Sequence, residues 1–167
     1  MMSNGQWSVA SGQWPTHAEQ SEQARRLLEQ LVGFHCVVEH DGKGAPYLPE
    51  HLDLHISISH CSQAVAAAVS GSGAVGIDVE SRRRVSRSLM QRVCTAAELA
   101  DIEASADPTM RFLQLWTRKE AVLKCRGTGI RGFESMVVAL DDNSISVRDI
   151  DTGQPDIVAA VAVRSDD

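Results

Sequence analysis

The 167-residue sequence contains no apolar run approaching the roughly 20 residues that span a bilayer, so no membrane-crossing segment is expected. The opening stretch MMSNGQWSVASGQW lacks both a basic n-region and an apolar h-region, so no secretory signal is expected there. No C-x-x-C pair occurs. Cys36, Cys61, Cys94 and Cys125 are widely spaced, which argues against a zinc site or a disulfide framework and for reduced thiols in a cytoplasmic protein. There is no low-complexity tract and no repeat of short period. Basic residues are outnumbered by acids, 16 to 22, and the net charge of −6 argues against general nucleic-acid binding. What is present is an ordinary globular composition, 43% hydrophobic and 23% charged, in a length that suits one domain or two small halves sharing a core.

The charge is unevenly spread. Five arginines (Arg82, Arg83, Arg84, Arg87, Arg92) and no acid lie between Ser81 and Ala97. From Thr109 to Arg131 there are six basic residues and one acid, Glu120. An acidic chain thus carries a basic central face. It is either a solvated surface or a dock for a polyanion, such as a phosphorylated ligand or an acidic partner protein.

Hydrophobic periodicity predicts an α+β fold in two unequal halves. Residues 1–14 are polar and Gly/Ser-containing and read as a mobile tail. Pro15-Thr16 followed by Glu19 signals a capped helix start, with Ala24, Leu27, Leu28, Leu31 and Val32 at helical spacing and Gly33 as its stop. Phe34–Glu39, His55–Ser59 and Ala64–Ser70 read as strands, with a turn-rich connection between the first two. Val75–Glu80 alternates as a further strand. Ser86–Val93, a capped helix from Thr95 to about Ala104, and a long helix from Pro108 to near Arg126 follow. Ser135–Leu140, Ile145–Ile150 and Ile157–Arg164 read as closing strands. The halves are expected at 15–72 and 73–167.

GSGAVGIDVE, residues 71–80, matches the G-x-G-x-x-G of dinucleotide-binding turns. That fingerprint needs a helix opening inside the glycines, where amide groups meet the pyrophosphate. Here the residues after Gly73 alternate with period two, so the glycines join two strands, and Gly71 and Gly73 read as a hairpin turn. Gly76 shares a strand face with Asp78 and Glu80, where a missing side chain leaves room for something. Asp78 and Glu80 sit about 6.5–7 Å apart at i and i+2. They are either a solvated edge or two carboxylates held together by a cation. In Trp116-Thr-Arg-Lys-Glu120-Ala-Val-Leu-Lys124, Glu120 and Lys124 share a helix face, as a surface ion pair or as a third carboxylate with a phosphate-binding lysine. Three carboxylates would suit Mg²⁺, with waters and substrate phosphates completing its shell. His60 closes the strand His55-Ile-Ser-Ile-Ser-His60 as a structural histidine or, with Ser59, part of a donor cluster.

Taken together, SISHCS (57–62), GIDVE (76–80) and WTRKEAVLK (116–124) resemble, in order and spacing, the signature segments of the 4′-phosphopantetheinyl transferases. The resemblance runs from the first helix to the end of the long one. Having Glu80 as well as Asp78 is similar to the larger, pseudodimeric Sfp-type branch, which implies two similar α+β halves with antiparallel sheets packed by helices and the active site between them. The family moves phosphopantetheine from coenzyme A to a serine of an apo acyl or peptidyl carrier protein, releasing adenosine bisphosphate. The resemblance implies Asp78, Glu80 and Glu120 as ligands of Mg²⁺, with Mn²⁺ as a substitute, and Asp78, Glu120 and Lys124 as the catalytic set. Lys124 would contact the transferring phosphate, and His60, with Ser59, the 3′-phosphate of coenzyme A. Arg82, Arg83 and Arg87 would meet the carrier protein. The family commonly places a basic residue between Gly and Pro ahead of the SH motif. This chain has Ala45 there, with Lys43 two positions earlier and Arg25 or Arg26 as candidates for the missing contact. The chain is also short for that branch at its N-terminus, and a monomer is expected. Two other readings use the same residues: a non-catalytic module binding coenzyme A or carrier protein, and a Mg²⁺-dependent phosphohydrolase.

Overall fold

A computed structural model describes residues 5–129 and 132–164. The first sheet is built on the small-residue run AVAAAVS. It forms β5 (Ala64–Ser70), buried at every position. β5 is flanked antiparallel by β1 (Gln6–Ser11) and by β4 (His55–Cys61), in the order β1-β5-β4. The mobile tail expected over 1–14 is therefore wrong for Gln6–Ser11. Trp7 and Val9 alternate with polar neighbours and pack against the core, while the backbone of β1 completes the ladder of β5. Residues 1–4 lie outside the described residues.

The helix α1 (His17–Val32) starts and stops where the sequence signals. Thr16 and Glu19 form a reciprocal capping box, and Gly33 closes the helix at φ 82°. Its buried Ala24, Leu27 and Leu28 cover one face of β5, meeting Val65, Ala67 and Val69. The opposite face of β5, Ala64, Ala66 and Ala68, meets a second sheet. Burial on both faces with close packing explains why β5 carries only alanine, valine and one serine.

The second sheet has the order β6-β8-β7, from β6 (Val75–Ser81), β8 (Ile157–Arg164) and β7 (Ile145–Ile150), all antiparallel. Val75, Ile77 and Val79 face β5, while Ala160 and Ala162 of β8 pack toward the long helix α4 (Pro108–Arg126). α4 begins at an Asp107 cap with Pro108 in its first turn and ends at Gly127, φ 67°. Between β6 and α4 lie α2 (Arg87–Val93) and α3 (Ala96–Ala104), the latter with the expected Thr95–Glu98 capping box. Each sheet thus carries a helix on its outer face. None of the helices described is long and apolar enough to cross a membrane.

Three sequence expectations are corrected. Residues 34–38 form no strand. Cys36 sits buried beneath α1 and its amide donates to the Glu29 side chain, leaving a short hairpin of β2 (Glu39–His40) and β3 (Pro46–Tyr47). Ser135–Leu140 is not a strand but α5 (Phe133–Val137) with a 3-10 turn at Ala139–Asp141. Met136 and Ala139, three apart, are the buried positions, which is a helical spacing. Finally, the glycine turn joins two strands but makes no hairpin, because β5 and β6 belong to different sheets; Gly73 carries the positive φ of 147°.

Candidate active site

The site forms where β6 meets α4, and Gly76 sets how closely they approach. A Cβ on Gly76 would lie 2.0 Å from the Ala121 carbonyl oxygen and 2.5 Å from the Cys125 amide nitrogen. The space that the missing side chain leaves is thus filled by helix backbone. The close approach brings Lys124, one turn after Glu120, onto the strand. Its ammonium donates to the Ile77 carbonyl and to Asp78 Oδ1, each at 2.9 Å. Lys124 is therefore bonded across the β6–α4 junction, and the alternative of a surface helix pair with Glu120 is not what forms.

The serines of HISISHC have a defined task. β4 runs beside β6 without a backbone ladder, and serine hydroxyls take the β6 amides instead. Ile77 N–H donates to Ser57 Oγ at 3.0 Å and Val79 N–H to Ser59 Oγ at 3.3 Å. Ser59 in turn donates to Asp78 Oδ1 at 2.9 Å. Asp78 is 6% exposed, and this pair of contacts fixes one of its oxygens.

The other oxygen is unsatisfied. Asp78 Oδ2 and Glu120 Oε1 are buried and have no hydrogen-bond partner among the described residues. Burial, together with the negative charge of Asp78, pushes the Glu120 carboxyl up to about 7. Two partly dehydrated carboxylates with orphaned oxygens fit a divalent cation, which would satisfy both and relieve their repulsion. Glu80 departs from the expectation. It lies on the same strand face but is drawn to Arg83, at 3.1 Å, and no cluster of three or more His, Cys, Asp or Glu side chains placed to hold a metal occurs among the described residues. Glu80 is paired with Arg83 in this structure, while its negative charge still adds to the upward push on the Glu120 carboxyl.

A cavity of about 640 Å³ opens above Asp78 and Lys124. Ser59, His60 and Lys43, all expected in the site, line it. The hairpin turn that holds Lys43 is pinned by Asp41, which accepts from the Lys43 and Ala45 amides. Burial, His17 and Lys124 together hold the His60 imidazole below its usual range. Arg25 and Arg26 are not among the lining residues. They are engaged along α1, Arg25 with Glu22 and Glu29 and Arg26 with Glu22. Arg82 pairs with Asp107 and Asp156, Arg83 with Glu80, and Arg87 with Glu103. Arg84 has no ion-pair partner among the described residues and is exposed.

Sequence reasoning missed several residues. His17, Gln20 and Ser21 face the cavity from α1, and their i, i+3, i+4 spacing was the available signal. His40 enters from the turn-rich connection. Lys119, 0% exposed, donates to the Val93 carbonyl at 2.8 Å and to Glu98 at 2.7 Å, tying α2 and α3 to the helix that carries Glu120. A lysine inside an otherwise basic run gives no sign in sequence that it is buried.

Comparison with known proteins bears on this geometry. A family model described as the 4′-phosphopantetheinyl transferase superfamily matches residues 74–164, which hold Asp78, Glu120 and Lys124. The chain is 32% identical over 116 residues to a 4′-phosphopantetheinyl transferase of Bacillus subtilis, covering 67% of this chain and 51% of that protein. It is 30% identical over 137 residues to the 4′-phosphopantetheinyl transferase psf-1 of Bacillus pumilus, covering 78% and 55%. It is 33% identical over 130 residues to the 4′-phosphopantetheinyl transferase AcpT of Escherichia coli strain K12, covering 74% and 65%. The chain spans about half the length of the first of these curated relatives. With the family model covering more than half of its residues, the chain belongs to the 4′-phosphopantetheinyl transferase superfamily.

Proposed function

We propose that the protein transfers 4′-phosphopantetheine from coenzyme A to a serine hydroxyl of an apo acyl or peptidyl carrier protein, releasing adenosine 3′,5′-bisphosphate. The observation that carries this reading is the pair of orphaned, buried carboxylate oxygens on Asp78 and Glu120, where Asp78 and its partner Lys124 line a cavity that Lys43 and His60 also line. Asp78 and Glu120 would hold Mg²⁺ or Mn²⁺, joined by Glu80 once it leaves Arg83. The metal, when bound, supplies charge neutralisation to the pyrophosphate.

The protein's own groups account for the remaining chemistry. The serine oxygen forms a bond to the β-phosphorus of coenzyme A while the bond from that phosphorus to the bridging oxygen breaks. Glu120 accepts the serine proton. Lys124 uses two of its three N–H donors on Ile77 and Asp78, so one remains for the phosphate oxygen that becomes negative as the bisphosphate departs. Asp78 holds that ammonium in place. Ser59 fixes Asp78, and His60 with Lys43 meets the nucleotide end. The sheet-and-helix units, 15–72 joined by β1 and 73–167, act as the two halves of a pseudodimer within a cytoplasmic monomer, with the site at their junction. The basic face around Arg82, Arg83, Arg84 and Arg87 meets the carrier. The Arg87–Glu103 pair, with side chains 76% and 61% exposed, exchanges readily for a carrier carboxylate.

Incubation with coenzyme A, Mg²⁺ and several apo carrier proteins, followed by mass spectrometry of the carriers, tests the reading. The expected result is a phosphopantetheine adduct on at least one carrier. No adduct on any of them would overturn it, and bisphosphate release without a carrier would point to the phosphohydrolase.

A further inference from the structure

The α1 wall of the cavity holds a second imidazole that no family signature segment includes. His17 and His60 approach edge to face, ring centroids 5.5 Å apart with planes at 87°. His17 comes from the first turn of α1 and His60 from the end of β4, and both line the cavity. Ser21 Oγ lies 3.4 Å from His17 Nδ1, orienting the ring and leaving Nε2 as its other polar atom.

The charge balance of the wall indicates what it receives. In a chain of net charge −6, the described lining contains five nitrogen bases, His17, His40, Lys43, His60 and Lys124, against one carboxylate, Asp78. Asp78 is already matched by Lys124 and Ser59. The His17–His60 end therefore has donors without an acid to satisfy them. Burial first, and then the neighbouring His17 and Lys124, hold the His60 imidazole below its usual range. A dianionic phosphate reverses that balance, because it accepts from neutral imidazole N–H groups and favours their charged forms.

Resting on the transferase reading, we infer that His17 is a specificity-determining residue that shares with His60 the phosphomonoester of the substrate nucleotide. Coenzyme A carries one phosphate apart from its pyrophosphate, on the ribose 3′ oxygen, and the His17–His60 pair selects for it.

Calorimetric titration of coenzyme A and of dephospho-coenzyme A tests this on wild type, His17→Ala, His17→Phe and His60→Ala. His17→Phe keeps an aromatic ring against His60 and removes the donor. Both His17 variants are expected to bind coenzyme A roughly tenfold more weakly, the size of one charge-assisted hydrogen bond, with dephospho-coenzyme A unaffected. Equal weakening of both ligands, or of neither, would overturn the assignment. If only His60→Ala shows the phosphate-selective loss, the His17 inference falls and the transferase reading stands. If wild type binds neither ligand, both fall.

Discussion

At the scale of single residues, Glu120 is the most informative group. The sequence places it one helical turn from Lys124 and supplies two competing accounts, a surface ion pair or a site carboxylate. Burial decides between them: Lys124 reaches Asp78, and Glu120 is left with an unsatisfied oxygen and a carboxyl pushed up to about 7. A carboxyl whose folded pKa is raised stabilises the fold while protonated. That contribution is complete below its ordinary value of 4.5 and is lost as pH climbs through about 7. Glu120→Gln should therefore melt at a higher temperature than wild type at pH 8 without metal, and at nearly the same temperature at pH 4. The same variant should lose phosphopantetheine transfer on the order of 10²–10⁴-fold, the usual range for a general base. Added Mg²⁺ should raise the wild-type melting temperature and leave the variant nearly unmoved. Differential scanning calorimetry across pH, with and without Mg²⁺, reads all of this. A variant no more stable than wild type at pH 8 would show that Glu120 is not a strained, dehydrated acid.

At the scale of elements, the β6–α4 contact positions Asp78, Glu120 and Lys124, and Gly76 permits it. Alternation in the sequence put Gly76 on the face of Asp78 and left open what the missing side chain makes room for. The answer is helix backbone, a partner about forty-five residues away that no local pattern names. Gly76→Ala requires α4 to withdraw, since the carbonyl of Ala121 cannot yield as a side chain would. The expected cost is about 1–3 kcal/mol or more, seen as a lower midpoint in urea unfolding. Transfer should fall further than stability, because Lys124 and Glu120 retreat from Asp78 together. An alanine variant with wild-type stability and turnover would show that the close approach has no role. The elements legible from sequence were those that carry their own termination chemistry: α1 by Thr16, Glu19 and Gly33, α3 by its capping box, α4 by Pro108 and Gly127. The misread segments, 34–39 and 135–140, have apolar residues but no local signal of the partner that decides their state.

At the scale of the whole molecule, charge distribution governs encounter with a partner. The chain is acidic overall, with its arginines concentrated in one segment. Folding neutralises several of them, since Arg82 faces two aspartates and Arg83 and Arg87 one glutamate each, while Arg84 stays exposed without an ion-pair partner among the described residues. On the proposed function, steering of an acidic carrier depends more on Arg84 than on Arg82. Expressed as kcat/KM for the carrier, Arg84→Ala should lower the rate at low salt and flatten its dependence on ionic strength, with little change in the Kd for coenzyme A. Arg82→Ala should alter the salt dependence less. Equal behaviour of the two variants would mean that the ion pairs do not screen the face.

The sequence by itself determined the elements with internal periodicity and caps, and the side chains whose chemistry suits a phosphate and a divalent cation. Those properties are local: a capping box, an i to i+2 face and an i to i+4 face need no knowledge of the rest of the chain. Only the tertiary structure decided that Glu80 is held by Arg83, that Arg25 and Arg26 pair along α1 instead of entering the cavity, and that His17 meets His60. Each of these outcomes depends on which charges and rings come within a few ångströms after folding. The interactions fall with distance and strengthen with burial, and sequence separation sets neither.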